Sequence, residues 1–343
     1  QLEVPAVEVE RGEARTPLGS VDLERKGETV CTVVRRDQFD ARLASAAREA
    51  GLEIIDRCRV LDVAQQGEVV EVATDRGRFR AQVLLGADGS GSRVRTAVFG
   101  TSKQSLGRAL MTDIPVESAS AVEFREQRYR FDFRCIEHGI HGYAWSFPCL
   151  IDGHPHLNVG IYDQLPRDYH GPGGEQAAML RALRAAFPEL PFDTARHRPN
   201  THAHPIRWFD ARDRYVSGRV MLAGDAAGVD PLMGEGISCA FEHGKLAARA
   251  ICGVLDGDSA ALGRYDRALH RDAVGRKLGK LAFAASSFYG PRHRWFFRAA
   301  HLSRRAQEIG VDWFNGAHHL DQLPVAALAA RWARAVLFGE RLR

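Results

Sequence analysis

One stretch constrains this chain more than any other: Arg219 to Leu255, reading RVMLAGDAAGVDPLMGEGISCAFEHGKLAARAICGVL. The apolar run Val220 to Ala223 reads as a short buried strand. It breaks at Gly224-Asp225, and a loop carrying Pro231, Gly234 and Gly236 follows. Apolar or small residues then recur at Ile237, Ala240, Phe241, Gly244, Ala248, Ile251 and Leu255, the spacing of a helix with one buried face. A helix that opens on glycine backbone offers unpaired N–H groups and a partial positive charge, and a ligand can approach it closely. Asp225, at the strand tip, adds a carboxylate that accepts hydrogen bonds from hydroxyl groups. Such a helix start favours a flat ring that gathers negative charge. The same periodicity also fits an ordinary strand–loop–helix of an α/β domain.

The strings GDAAG and DPLMGEGI resemble the second FAD motif of the hydroxylase-like flavoprotein superfamily, and within it the geranylgeranyl reductase family. The resemblance implies FAD as cofactor, with Gly224, Asp225 and Pro231 binding it and Asp225 on the ribityl chain. It sets Gly234, Gly236 and Ile237 against the isoalloxazine, which is negative around N1 and O2 when reduced. It also implies an α/β, two-domain fold: an incomplete Rossmann-like FAD-binding domain, an antiparallel-sheet substrate domain and C-terminal helices. The expected divisions are 1–105 and 211–260 for the FAD-binding domain, 106–210 for the substrate sheet and 261–343 for the helices.

Three further positions follow from the same likeness. Arg36 matches an R-x-x-F-D-x-x-L pattern before a helix that Asp37 could cap and Gly51 could end. In the family that arginine reaches the FAD phosphates or ribityl chain, a use suited to a guanidinium. Val60, after this helix, matches the residue whose backbone meets adenine. Asp88, in Gly86-Ala87-Asp88-Gly89 at the end of a buried strand, resembles the Asp-Gly motif whose role is partly FAD binding and partly bracing of the pyrophosphate loop. Short strands are expected at Leu52–Ile55, Arg59–Ala64, Val69–Thr74 and Phe79–Gly86, with turns at Gln66-Gly67 and Asp75-Arg76-Gly77. No G-x-G-x-x-G occurs anywhere. The chain is therefore expected to start inside a domain and, alone, to hold FAD weakly or not at all.

From Gly107 to Asp163 the pattern becomes alternating and aromatic, as in an antiparallel sheet, with segments at Val122–Phe124, Tyr129–Phe133, Tyr143–Phe147 and Leu157–Ile161. Period two puts Tyr143, Trp145 and Phe147 on one strand face, a wall suited to a greasy ligand and equally to a core. Tyr-x-Trp-x-Phe-Pro with Asn158-Val159-Gly160 resembles a geranylgeranyl reductase hallmark, which implies a hydrophobic, isoprenoid substrate met by Tyr143, Trp145 and Phe147. Halogenases carry a related Trp-x-Trp-x-Ile-Pro, from which Tyr143 and Phe147 depart. Many hydroxylases read Gly-Asp-Ala-Ala-His, and here Gly228 stands in the histidine position.

Composition narrows the rest. The 343 residues carry 47 basic and 43 acidic side chains, a balance that does not point to nucleic acid. Six scattered cysteines form no C-x-x-C, and His202/His204 and His318-His319 lack companion ligands, so no metal is expected. No spanning segment or signal peptide is visible, and a cytoplasmic protein is expected. Gln164–Gly174 reads as a Pro/Gly-rich loop, Glu175–Phe187 as an amphipathic helix, and His204-Pro205-Ile206 as a returning strand. Beyond Ser259 the pattern is helical, broken at Gly290-Pro291 and resumed through Trp313-Phe314 and Leu323 to Phe338. Arg292, Arg294 and Arg298 beside Trp295, Phe296 and Phe297 could rest on an anionic membrane surface or simply pack on the core.

The expected function is an FAD-dependent reductase of isoprenoid double bonds, drawing on NADPH or another reductant. The alternatives are a flavin monooxygenase or halogenase, and a non-catalytic hydrophobic-ligand or interaction protein. Oligomeric state is not legible.

Overall fold

The computed structural model describes residues 3–24, 28–100, 105–164, 174–190 and 201–302, with single positions 307, 330 and 333. Residues 165–173, Trp313-Phe314, His318-His319 and nearly all of Leu323 to Phe338 lie outside the described residues. The architecture is mixed α/β, with several sheets and helices toward the C-terminus. It divides into two compact units: Gln1–Ile54, Ala109–His204 and Ser287–Arg343 form one, Ile55–Arg108 and Pro205–Ser286 the other.

In chain order, the first unit opens with β1 (Ala6–Val9), β2 (Arg11–Thr16), β3 (Gly19–Glu24), β4 (Cys31–Val34) and α1 (Arg36–Glu49). The β2–β3 hairpin turns at Gly19, φ 123°, where the Thr16 hydroxyl donates to the Gly19 carbonyl. Asp37 falls inside the first turn of α1 rather than capping it; the N-cap is Arg35, without a side-chain cap. The helix ends as its sequence predicts. Gly51 adopts φ 95°, its N–H donates to the Arg48 carbonyl, and Leu52 N–H reaches Ala47, which is a Schellman closure.

The second unit begins with β5 (Val60–Gln66), β6 (Val69–Thr74), β7 (Gly77–Ala81), β8 (Leu84–Gly86) and α2 (Arg93–Phe99). β5, β6 and β7 form an antiparallel meander that turns at Gly67 and Gly77, both with positive φ. The expected strand at Leu52–Ile55 is absent, and Leu52 and Ile55 are exposed. With no neighbour to pair its backbone or cover its side chains, a short apolar run gains nothing by extending.

The chain then forms β9 (Leu106–Pro115), α3 (Val122–Arg125), β10 (Arg128–Asp132), β11 (Gly142–Ile151), β12 (His154–Asp163), α4 (Gly174–Ala186) and β13 (His202–Arg207). The large sheet runs β13-β9-β12-β11-β10-β2-β3. It is not wholly antiparallel, because β2 enters beside β10 in parallel, with Ala14 opposite Phe131. Val122–Phe124 is helical instead of extended. The turn sends Glu123 into the interior, where the Arg130 Nε–H donates to it at 2.8 Å and the Ser146 hydroxyl at 2.6 Å. A buried carboxylate needs those partners, and only the helical turn delivers it to them.

One face of the sheet carries Leu110, Ala144, Val159 and Ile161 against Met179, Leu183 and Phe187 of the α4 region. The other face is aromatic. Phe131 meets Tyr143 at 5.0 Å between ring centroids and Phe147 at 5.5 Å, and Phe133 meets Tyr143 at 5.7 Å.

The remaining elements are β14 (Val216–Ser217), β15 (Val220–Leu222), α5 (Ile237–Leu255), α6 (Ala261–Arg271), α7 (Ala273–Phe288) and α8 (His293–Leu302). The helix break at Gly290-Pro291 separates α7 from α8. Of the basic-aromatic run, Phe297 is buried against Phe133 and Phe288, whereas Trp295 is 58% exposed and Arg294 pairs with Glu137 at 2.9 Å. Among the described residues no helix is long and apolar enough to cross a membrane.

Candidate functional site: an acidic turn at a helix start

In the second unit β15 lies parallel to β8, with Leu222 opposite Gly86, so two strand ends emerge side by side. Each runs into a turn. Gly86 is required by packing: a Cβ there would sit 2.8 Å from the Val94 side chain. After it, Asp88 closes the start of α2. Its carboxylate accepts from the Ser92 hydroxyl at 2.5 Å and from the N–H groups of Arg93 and Val94 at 2.7 and 3.2 Å. These bonds brace the start of α2.

The second turn is a single 3-10 turn, Gly224–Ala226, with Gly224 at φ 57°. Its neighbours are buried, while Asp225 is half-buried. One Asp225 oxygen accepts the Ser90 hydroxyl at 3.2 Å. The other lies 2.9 Å from the place a Cβ on Gly236 would occupy. Gly236 is the N-cap of α5 and carries no side-chain cap, while the neighbouring Glu235 carboxylate accepts the Ser238 N–H at 2.9 Å and the Ser238 hydroxyl. The carboxylate and the amide-rich helix start therefore sit against each other. Gly234, at φ 68°, makes the bend between them, and its N–H donates to the Asp230 carbonyl. Pro231 is buried, whereas Gly234, Gly236 and Ile237 are half-buried.

Three groups not singled out by the sequence hold this turn. Arg95 is buried, and its guanidinium donates to the carbonyls of Ala226 (2.6 Å) and Ala227 (3.2 Å) while pairing with Asp213 at 3.2 Å. His243, 1% exposed on α5, accepts the Gly224 N–H at Nδ1, 3.1 Å away. Burial first, and the Lys277 charge second, push its imidazole down to about 4, so it stays neutral and able to accept. Asp230, 2% exposed, accepts the Leu232 N–H at 2.7 Å, and burial pushes its carboxyl up to about 7. Nothing in the sequence marked Arg95, or His243, a lone histidine on an apolar helix.

Gly224, Asp225, Gly234, Gly236 and Ile237 are thus brought together, with Pro231 in the connecting loop. Val60 begins β5, half-buried, opposite Thr74 at an irregular register. Arg36 belongs to the other unit, where its side chain is 62% exposed and pairs with Asp40 at 3.1 Å. Tyr143, Trp145 and Phe147 also belong to that unit; the first two are buried and Phe147 is half-buried in the aromatic face.

A parallel strand pair ending in an acidic glycine turn and followed by a helix start without a side-chain cap sits in this α/β fold. The comparisons place the fold among the flavoproteins. The FAD binding domain family matches residues 6–279, and the chain belongs to that family of FAD-dependent oxidoreductases. Among curated proteins it is similar to a digeranylgeranylglycerophospholipid reductase of Methanosphaerula palustris, 29% identical over 80% of this chain and 69% of the relative. A tetracenomycin B2 monooxygenase-dioxygenase of Streptomyces olivaceus is 26% identical over 74% of this chain and 46% of its own length. The chain spans about two thirds of the length of the archaeal reductases it matches. Among solved structures, a geranylgeranyl bacteriochlorophyll reductase-like protein of Thermoplasma acidophilum shares the fold, with TM-score 0.69, 19% identity, and coverage of 89% of this chain and 79% of that one.

The residues fit FAD. Gly236 leaves room where a Cβ would press on the Asp225 carboxylate, so a hydroxyl acceptor and helix amides meet a ligand from one side.

Proposed function

We propose that this chain is an FAD-dependent reductase of isoprenoid, geranylgeranyl-type carbon–carbon double bonds. One observation carries the reading: the Asp225 carboxylate set against the open start of α5. Bound FAD supplies hydride from N5. Asp225 would accept hydrogen bonds from ribityl hydroxyls, and the Gly234–Ile237 backbone amides would stabilise negative charge on the reduced ring. Ser90 orients Asp225, and Arg95 and His243 keep the turn from relaxing. Arg36 answers the phosphates, and Val60 offers backbone to adenine. Tyr143, Trp145 and Phe147 line the prenyl site and exclude water from the alkene. NADPH or another reductant provides the electrons, and the exposed Trp295 with Arg292 and Arg298 supplies a surface for an anionic membrane.

The likeness to a monooxygenase supports a second reading, a flavin-dependent monooxygenase. Against it, Gly228 stands where the hydroxylases it resembles carry histidine. It adopts φ 112°, and a Cβ there would lie 3.0 Å from the Phe209 backbone, so a side chain is strained at that position.

The test is anaerobic turnover of a geranylgeranyl lipid with dithionite as electron source. The expected product gains one H2 for each double bond consumed, and Asp225→Ala loses both flavin affinity and turnover. An oxygen-dependent, hydroxylated product with no gain of hydrogen would overturn the reading.

A further inference from the structure

The aromatic wall holds one group that an apolar core does not need. The Trp145 indole N–H donates to Asn158 Oδ1 at 2.9 Å. Asn158 Nδ2 donates to Asp113 Oδ1 at 2.8 Å. Asp113 Oδ2 accepts from the Arg35 guanidinium at 2.5 Å. The chain of bonds crosses the sheet from β11 to β12 to β9 and ends at the N-cap residue of α1.

The direction of every bond is fixed by chemistry. An indole N–H only donates, a carboxylate only accepts, and a guanidinium only donates. The Asn158 amide therefore has one admissible orientation, oxygen toward Trp145 and nitrogen toward Asp113. Gly160 completes the arrangement. It opposes Trp145 across the β11–β12 register, and a Cβ on it would lie 2.2 Å from the indole ring. The ring therefore fills the space that Gly160 leaves open, and its N–H reaches Asn158, two residues earlier on the same face. Asn158 and Gly160 of the Asn-Val-Gly string thus act on one side chain, the first through its amide and the second through having none.

We propose that Arg35, Asp113 and Asn158 are positioning residues that set the Trp145 indole for a prenyl ligand and tie its orientation to the start of α1. The inference rests on the reading of Trp145 as part of the prenyl wall. It goes beyond that reading by assigning the specificity of the wall to a polar chain beside it. Arg36, the next residue after the terminal arginine, is the one assigned to the phosphates.

The experiment follows the indole proton itself. In protein labelled with 15N-tryptophan, with Trp145→Phe identifying the signal, Asp113→Ala and Asn158→Leu are expected to speed exchange of the Trp145 Nε1 proton about tenfold or more. With a geranylgeranyl lipid and dithionite, KM is expected to rise about tenfold while kcat stays within about twofold. Asp113→Glu restores both readouts in part, which a purely structural role would not predict. Arg35→Met, altering a partly exposed residue, gives the same direction if Asp113→Ala does not fold. Unchanged indole exchange in the folded variants overturns the proposal. Faster exchange with unchanged KM leaves the positioning in place and overturns the assignment of Trp145 to the prenyl wall.

Discussion

The acidic turn of the second unit and the aromatic wall of the first are built in opposite ways. Around Asp225 the working groups are backbone amides and one carboxylate, and nearly all come from residues 224–237. At Trp145 the working groups are side chains from four distant positions, 35, 113, 145 and 158. A backbone site needs particular φ values at particular residues, so glycines at fixed spacing write it into a short string. A side-chain site needs only that its partners meet in space, and topology supplies that. The turn tolerates almost no local change, whereas the wall can be retuned from far away.

The comparison can be broken first at the largest buried charge. Arg130 is 2% exposed, pairs with Glu123 and Glu189, and stacks over Phe187 at 4.8 Å. Removing it in Arg130→Ala strands Glu123 inside the first unit, and about 3–5 kcal/mol of stability is expected to go, read by denaturant unfolding. A loss below about 1 kcal/mol would show that the wall's support is softer than the bonds imply.

In the turn, the backbone itself is the vulnerable part. Gly228→Ala sets a Cβ at positive φ against the Phe209 backbone, and about 2–3 kcal/mol of destabilisation is expected. Asp225→Ala should weaken FAD by about 1.5–3 kcal/mol, roughly tenfold to a hundredfold, in a fluorescence titration. Equal affinity would remove Asp225 from the site.

Two buried groups in the second unit give opposed pH slopes. His243 titrates near 4 when folded and near 6.5 when unfolded, so only the unfolded chain takes up its proton in between, and stability falls as pH drops through that window. Asp230 holds its proton to about 7 when folded but loses it near 3.8 when unfolded, so stability falls as pH rises from about 4 to 7 and then levels. Asp230→Asn should therefore raise stability at pH 8, and His243→Gln should flatten the acid limb; thermal melts across pH read both. The smallest effect belongs to Arg36→Ala. Its exposed pair with Asp40 contributes about 0.3–0.5 kcal/mol to stability, so any larger loss of FAD affinity reports a phosphate contact.

What could be read in advance followed the same division. The strand, turn and helix of residues 219–255 were legible because their signals are local: an apolar run, glycines and a 3.6-residue period. The Schellman close at Gly51 and the break at Gly290-Pro291 were legible for the same reason. The helix at Val122–Phe124 was not, because its alternation fits a strand and only Arg130 and Ser146 decide where Glu123 must go. The absent strand at Leu52–Ile55 fails likewise for want of a pairing neighbour. His243, Arg95 and Asp113 carried no signal, since a lone polar residue acquires its role from what it touches.

By itself, then, the sequence determined a turn that presents backbone to a ligand, because glycine and proline restrict the chain residue by residue. Only the tertiary structure decided that Asp225 presses against Gly236, that β2 joins the sheet beside β10, and that a tryptophan is steered from Arg35. Each depends on groups meeting across long chain separations, where the stabilisation comes from burial and pairing rather than from local conformational preference.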